Sequence, residues 1–495
     1  MMPDGDSERP QRTATANTIS GTVTGHSVQA GTVHGGVHFH AAQEALRPPP
    51  PRQLLAPPAD FSGRVVELVR LDELVAASER TEAPALVVLT GPGGVGKTAL
   101  ALQWAHNSRG RFPDGQLYVD LAGFGGGDPL DPGEALGRFL RALGVPPQQV
   151  PAALAEQTAL FRSMTAQKSL VLLLDNAYST AQARVLLPAS GRAVVLVTSR
   201  SRLVGLMADG ARMLSVAPLG EAAAMTMLSR AVGDERVAGE PEQAAKLVTL
   251  CGGLPIAVRL TAARLAARSR WSLNRVVAEL ADEHARLAAL SAAGDVSLQA
   301  SFDLSYRQLP DCPATLYRRL GLHPGREFDL GVCSAVLEGE PTEVEDGLYE
   351  LVDNNLVEEI AEDRFRFHDL LRLHARHRAS LDDPAPVREL TLRRMLEWYL
   401  AAAMAADQVL TPYRRRLPYE FCAAGRRSRL RGPRAGAVVA GDRAREPDHR
   451  GPGESDPSVV RPGVATVRRD VAVAALPQAL SRPGCDRRAR RSGRA

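Results

Sequence analysis

The sequence predicts a parallel α/β domain followed by largely helical domains, with disordered termini, and three observations predict it. Short apolar runs at Leu86–Thr90, Leu170–Leu174 and Ala193–Thr198 alternate with longer helical patterns. Each run reads as a strand buried on both faces, as in a parallel sheet. A glycine-rich turn joins the first run to a helix over Ala99–Ala105, and from about Ser215 to His374 the pattern is mostly helical. One short β-hairpin is expected there, around Leu356–Phe367, and a further helix at Val387–Val409.

Composition sets the limits. The 495 residues are 44% hydrophobic and 23% charged, which is globular composition and excludes wholesale disorder. No apolar run approaches the ~18 residues of a membrane span, so no membrane partner is expected. Met1–Pro10 is polar and acidic, unlike a secretory leader, so a cytoplasmic location is expected. Cys251, Cys312, Cys333, Cys422 and Cys485 form no C-x-x-C pair, and reduced thiols are the simple reading. The net charge of +4 is unevenly spread: from Phe421 onward there are 17 Arg against 7 acids. That tail carries +10 and the other 420 residues carry −6, so the basic balance is poor support for nucleic-acid binding by the folded part.

The first strand leads into Gly91-Pro92-Gly93-Gly94-Val95-Gly96-Lys97-Thr98, a full G-x-x-x-x-G-K-T between strand and helix. Glycines let the backbone curl so that consecutive N–H groups face one anion, and the helix N-terminus adds its dipole. The cradle comprises Gly91, Gly93, Gly94, Val95, Gly96 and the helix start through Ala99. Lys97 supplies a charge for the β- and γ-phosphates of ATP or ADP, and Thr98 a hydroxyl for Mg²⁺. Asp175 ends the second strand at the carboxyl edge of the sheet, where it can hold Mg²⁺. Asn176 follows it where many ATPases of this kind carry a second acid. An amide cannot take a proton, and losing general-base help costs on the order of 10²–10⁴ in rate, so slow turnover is expected unless Asp120, after the strand Leu117–Val119, does the job. Arg200 follows the third strand, in reach of a γ-phosphate at the same edge.

This order of motifs resembles the NB-ARC group of STAND signalling ATPases from about Phe61 to about Arg376. Phe61-Ser62-Gly63-Arg64, with Glu67 and Leu68, is similar to the segment that packs beside the adenine. Cys251-Gly252-Gly253-Leu254-Pro255-Ile256-Ala257 resembles the GLPL element, which implies Pro255 against the base. Ser305-Tyr306-Arg307-Gln308-Leu309-Pro310 resembles the approach to a winged-helix domain. Phe367-His368-Asp369 matches the MHD triplet, which implies that His368 contacts the β-phosphate of ADP. With the resemblance, the chain divides into a Gly/Thr/His-rich segment (1–46), a Pro-rich linker (47–60), a P-loop nucleotide-binding domain (61–210), a helical domain (211–292), a winged-helix domain (293–380), the start of a helical sensor region (381–420) and an Arg/Pro/Gly/Ala-rich tail (421–495).

The first segment is quasi-repetitive, nearly uncharged and free of proline between Asn17 and Phe39. It reads either as a flexible leader or as a stretch that stacks in register between chains. Its Val28-Gln29-Ala30-Gly31 core resembles RHIM-like amyloid motifs, which implies a partner effector with a matching motif. The tail is disordered by composition. The whole chain's 57 Arg against three Lys indicate a GC-rich gene, and a reading-frame slip in the tail in place of a TPR-like array is the sharper expectation.

Two functions compete on these grounds. One is a switch that rests with ADP, exchanges to ATP, self-associates and signals to a partner. The other is a DNA-binding transcriptional regulator that uses the winged helix with the same ATPase core. Against the second stand two features: no DNA-binding domain is recognised before Phe61, and Gly331–Ile360 has nine acids and no base. Phosphate contacts need Lys or Arg, so specific DNA binding is expected to be unlikely.

Overall fold

A computed structural model describes residues 49–421 except 79–81, 124–127, 292–296, 338, 416–418 and 420. The amyloid-like segment and residues 422–495, with every expectation placed on them, lie outside the described residues.

Five parallel strands form one sheet: β1 (Ala85–Thr90), β2 (Gly115–Asp120), β3 (Leu170–Asp175), β4 (Val194–Ser199) and β5 (Arg212–Ser215). Their order is β2-β3-β4-β1-β5. Successive side chains of a strand point to opposite faces, and here both faces are covered. Val87, Leu89, Val171 and Leu173 pack with Leu100 and Trp104 on one side. Leu86, Val88, Leu172 and Leu174 pack with Leu136, Phe139 and Phe161 on the other. This double burial is why β1, β3 and β4 read as unbroken apolar runs. β5 is the exception: a four-residue edge strand whose residues are mostly exposed, so it has no apolar signature. Because every strand runs the same way, Thr90, Asp120, Asp175 and Ser199 all end at one edge.

After the sheet comes a run of helices from Glu221–Val232 to Glu283–Ser291. The helix Pro241–Leu250 stops at Cys251, and Gly252 and Gly253 follow at φ +61° and +67°. Two consecutive left-handed residues turn the chain sharply, and Pro255 then opens the helix Pro255–Ala267 in the first turn, where its missing N–H costs nothing. The turn and the new helix are what bring this region to the sheet edge.

A third group contains the helices Leu298–Tyr306, Asp311–Leu320, Leu330–Val336 and Pro341–Asp353, with strands β6 (Glu327–Asp329), β7 (Glu358–Ala361) and β8 (Arg364–Arg366). The strands are antiparallel in the order β6-β8-β7; β7 and β8 form the expected hairpin. The helix Asp369–Asp382 follows, then Ala385–Leu410. Tyr317, Phe328, Phe365 and Phe367 are buried together, with Tyr317 and Phe367 rings 5.5 Å apart. In the same core the fully buried His374 lies 2.9 Å from the Tyr317 hydroxyl and 3.0 Å from the Asp303 carboxylate.

Among the described residues no helix is long and apolar enough to cross a membrane, and Cys251, Cys312 and Cys333 are free thiols.

Candidate functional site

The turn between β1 and the helix Lys97–Asn107 is held open by glycine. Gly94 sits at φ +79°, and a Cβ there would come within 2.2 Å of the Ile256 side chain. Gly96 caps the helix at φ +96°, a left-handed conformation that other residues adopt only at a cost of about 1 kcal/mol or more. The Ile256 N–H donates to the Gly94 carbonyl at 3.3 Å. Helix Pro255–Ala267 therefore seats directly on the loop.

Lys97 is buried and folds back on its own turn, its Nζ donating to the carbonyls of Gly91 (2.7 Å) and Pro92 (3.0 Å). Burial, reinforced by the Arg200 charge and opposed by Asp175, pulls its pKa down to about 7. Thr98 donates its hydroxyl to Asp175 Oδ1 at 2.7 Å, and Thr198, at the end of β4, donates to the same oxygen. The Tyr118 hydroxyl donates to Oδ2 at 3.4 Å. Burial raises the Asp175 pKa, while the Thr198 and Thr98 hydroxyls hold it down. Thr98 and Asp175 thus share one hydrogen bond, the pairing that a divalent cation between hydroxyl and carboxylate calls for. Among the described residues no cluster of three or more His, Cys, Asp or Glu offers an alternative metal site.

Asn176 takes φ +54°. Its N–H donates to Thr198 Oγ1 at 3.0 Å and its side-chain amide donates to Asp120 Oδ1 at 3.1 Å. Arg200 lies against the loop, with Nη1 3.4 Å from where a Cβ on Gly93 would stand. It donates to the Ser301 carbonyl and, at 3.0 Å, to Ser305 Oγ. Burial lowers its pKa to about 10. Arg64 is buried behind the loop, bonded to the Val95 carbonyl at 2.9 Å, the Ala217 carbonyl at 2.7 Å and Glu67 at 2.5 Å.

The structure brings Gly91 to Ala99, Asp175, Asn176 and Arg200 to one edge, with Pro255 packed beside Gly96 at 3.6 Å from its Cβ position. It places Arg64 on the carbonyl side of the loop, as a support. It places His368 on the Gly252-Gly253 turn: Nε2 donates to the Gly252 carbonyl at 2.8 Å, and Nδ1 accepts from the Leu370 N–H at 3.3 Å. That pattern is the neutral ring, in keeping with a pKa lowered by burial. A phosphate contact from this imidazole would have to replace the Gly252 carbonyl.

Sequence reasoning missed Asn355. Its side-chain amide donates to Thr90 Oγ1 at 2.7 Å and to the Arg200 carbonyl at 2.7 Å. Beside it, the Arg202 N–H donates to the Asp353 carbonyl at 2.9 Å. An Asn pair closing a helix signals a left-handed turn, but nothing in it names a target 265 residues back.

A parallel sheet with this strand–loop–helix, a buried lysine and a Thr–Asp pair at the carboxyl edge defines a P-loop ATPase fold. No protein-family model matches the chain. It is similar to the regulatory protein AfsR of Streptomyces griseus, 43% identical over 370 residues, and to AfsR of Streptomyces coelicolor, 42% identical over 370 residues. These matches cover 74% and 73% of this chain but only 38% and 37% of those proteins. The chain thus spans less than two fifths of the length of either. It is also 32% identical over 345 residues to a Mycobacterium bovis protein provisionally named an HTH-type transcriptional regulator, covering 61% of this chain and 37% of that protein. Among solved structures, a Walker-type ATPase of Pyrococcus abyssi aligns over 67% of this chain and 98% of its own, with 13% identity and a TM-score of 0.44.

These relatives correct one expectation. Specific DNA binding is expected to be unlikely from the acidic stretch Gly331–Ile360 and from the lack of a recognised DNA-binding domain before Phe61, yet proteins similar to this chain are named as regulators, one of them of transcription. Surface charge on one stretch bears on that stretch alone, because base readout and phosphate contacts are made by particular elements. It excludes nothing for proteins of which this chain matches less than two fifths.

Proposed function

We propose that the chain is the nucleotide-responsive core of a transcriptional regulator, with ATP and ADP as the ligands that set its state. One continuous chain of contacts carries this reading. His368 bonds Gly252, the Gly252-Gly253 turn leads into Pro255 and Ile256, and Ile256 bonds Gly94 of the phosphate loop. Whatever moves the loop is felt at His368, 274 residues after Gly94 in sequence.

In this reading the loop amides and Lys97 bind the β- and γ-phosphates, and Arg200 reads the γ-phosphate. Thr98 and Asp175 would hold Mg²⁺, whose charge would neutralise phosphate oxygens when bound. Lys97 is buried on neutral carbonyls, the Asp175 charge only partly offsets that burial, and a polyphosphate is the group that would favour its charged form. Arg200 is bonded to Ser301 and Ser305 of the third group, so a γ-phosphate that drew it away would loosen that group from the sheet edge. ATP and ADP then differ in the contacts they make in the two arrangements, the condition for a ligand to shift a conformational equilibrium.

The relatives' names favour transcription as the output over signalling to a separate effector. The first test is nucleotide retention. Wild-type protein should bind ADP or ATP with Mg²⁺, and Lys97→Ala should weaken that binding by about tenfold to a hundredfold, as expected for a lost charged hydrogen bond. Wild-type protein indifferent to adenine nucleotides overturns the reading. For the output, transcript profiles of the wild-type and Lys97→Ala strains should differ in a confined set of genes; identical profiles remove the transcriptional role.

A further inference from the structure

The pair Asp120–Asn176 lies at the sheet edge that carries the phosphate loop. Asp120 ends β2 directly opposite Asp175 in the sheet register, so both side chains emerge at the same edge. Its Oδ1 accepts from the Ala122 N–H at 2.9 Å and from Asn176 Nδ2 at 3.1 Å. Asn176 is fixed at three further points: its N–H on Thr198, its carbonyl accepting from Gly123 N–H at 2.9 Å, and its backbone in the left-handed region. Thr198 also donates to Asp175 Oδ1, the oxygen that receives the Thr98 hydroxyl. The backbone of Asn176 is therefore tied, through Thr198, to the groups that would meet a nucleotide.

A carboxylate only accepts hydrogen bonds, whereas an amide has a donating and an accepting end. Asp120 must take the NH₂ end, and this dictates which way the Asn176 amide is flipped. The carbonyl oxygen Oδ1 is then left as the end that can accept from another donor. An amide oxygen cannot remove a proton from water, but it can accept a hydrogen bond from it and fix its direction, as a water-positioning glutamine does in other phosphate-loop hydrolases.

We infer that Asp120 is a positioning residue for ATP hydrolysis, orienting the Asn176 amide so that its Oδ1 aligns the attacking water. This rests on the nucleotide-binding reading above. In the step, the water oxygen bonds to the γ-phosphorus as the bond from that phosphorus to the β,γ-bridging oxygen breaks. ADP leaves with the electron pair, and the water's proton ends on the released phosphate or in solvent. The residue after Asp175 thus retains a role in turnover without being an acid, and Asp120 acts through it.

The test uses the full chain with Mg·ATP in single-turnover hydrolysis, alongside fluorescent-nucleotide binding and thermal melting. Asp120→Ala and Asn176→Ala should each lower the rate by about tenfold or more, with ATP affinity and melting temperature nearly unchanged. The double variant should be no slower than the slower single one, because the two residues act as a unit. In protein labelled with ¹⁵N-asparagine, Asp120→Ala should also shift the Asn176 side-chain amide signal without nucleotide present. Asp120→Asn keeps an Oδ1 that can accept the same two bonds and should retain most of the rate. Wild-type protein that binds ATP but never hydrolyses it overturns this inference alone, and so does an unchanged rate in Asp120→Ala. A loss in Asp120→Ala with full rate in Asn176→Ala makes Asp120 act directly and also overturns it. Absence of any nucleotide binding removes the reading beneath.

Discussion

The sheet edge and the clamp that closes on it are built in opposite ways. At the edge, Thr98, Asp175 and Thr198 are ends of buried elements, and their hydrogen bonds converge on one carboxylate oxygen. The clamp consists of single contacts from turns and helix ends: His368 on Gly252, Asn355 on Thr90 and Arg200, and Arg200 on Ser301 and Ser305. The edge is positioned by the packing of the whole sheet. Each clamp contact has a net worth of about 0.5–1.5 kcal/mol, small enough for a ligand to exchange. Rigid where phosphate would be gripped and breakable where domains meet is the arrangement a nucleotide switch needs.

Substitutions on the clamp side sharpen the contrast. His368→Ala should have the largest effect, weakening ADP by about tenfold and ATP much less. Equilibrium titration with both nucleotides measures this, and equal loss for the two would place His368 in general stability and not in the switch. Asn355→Ala removes two hydrogen bonds and should cost about 1–2 kcal/mol of stability, with faster overall proteolysis. A resistant variant would mean that the Asp353–Asn355 turn is not a tether.

Acid gives the mildest break. Burial lowers the pKa of both His368 and His374, though hydrogen bonds to Gly252 and Asp303 respectively pull them up. With folded values below the unfolded value of about 6.5, the unfolded chain binds protons that the folded one refuses. The stability contribution is complete above about pH 6.5 and is lost as the pH falls through it. Melts at pH 7.5 and 5.5 should show the lower midpoint at 5.5, and His374→Gln should narrow the gap. A midpoint unchanged between the two would mean that neither imidazole is held neutral.

The same contrast governs what could be read in advance. Strands buried on both faces leave unbroken apolar runs, so β1, β3 and β4 and the polar residues that end them were legible. So was the glycine turn, because φ values above zero are cheap only for glycine. β5 was not, since a four-residue edge strand with exposed side chains has no periodicity to detect. The NB-ARC resemblance drew attention to Arg64, Pro255 and His368 but did not indicate that Arg64 would support the loop from behind. Asn355, Ser301, Ser305 and the Asp120–Asn176 bond were illegible for a different reason. Each is one or two hydrogen bonds between residues 56 to 265 apart, and a polar residue in a turn looks the same whether it meets water or a distant strand.

Hydrogen–deuterium exchange of the full chain, compared with ADP and with a non-hydrolysable ATP analogue, reads the link between loop and clamp most directly. Amides around Asp353–Asn355 and Phe367–Leu370 should exchange faster with the ATP analogue than with ADP, while β1, β3 and β4 stay equally protected. Identical exchange in both segments, with both nucleotides bound, would contradict a clamp governed by the phosphate site.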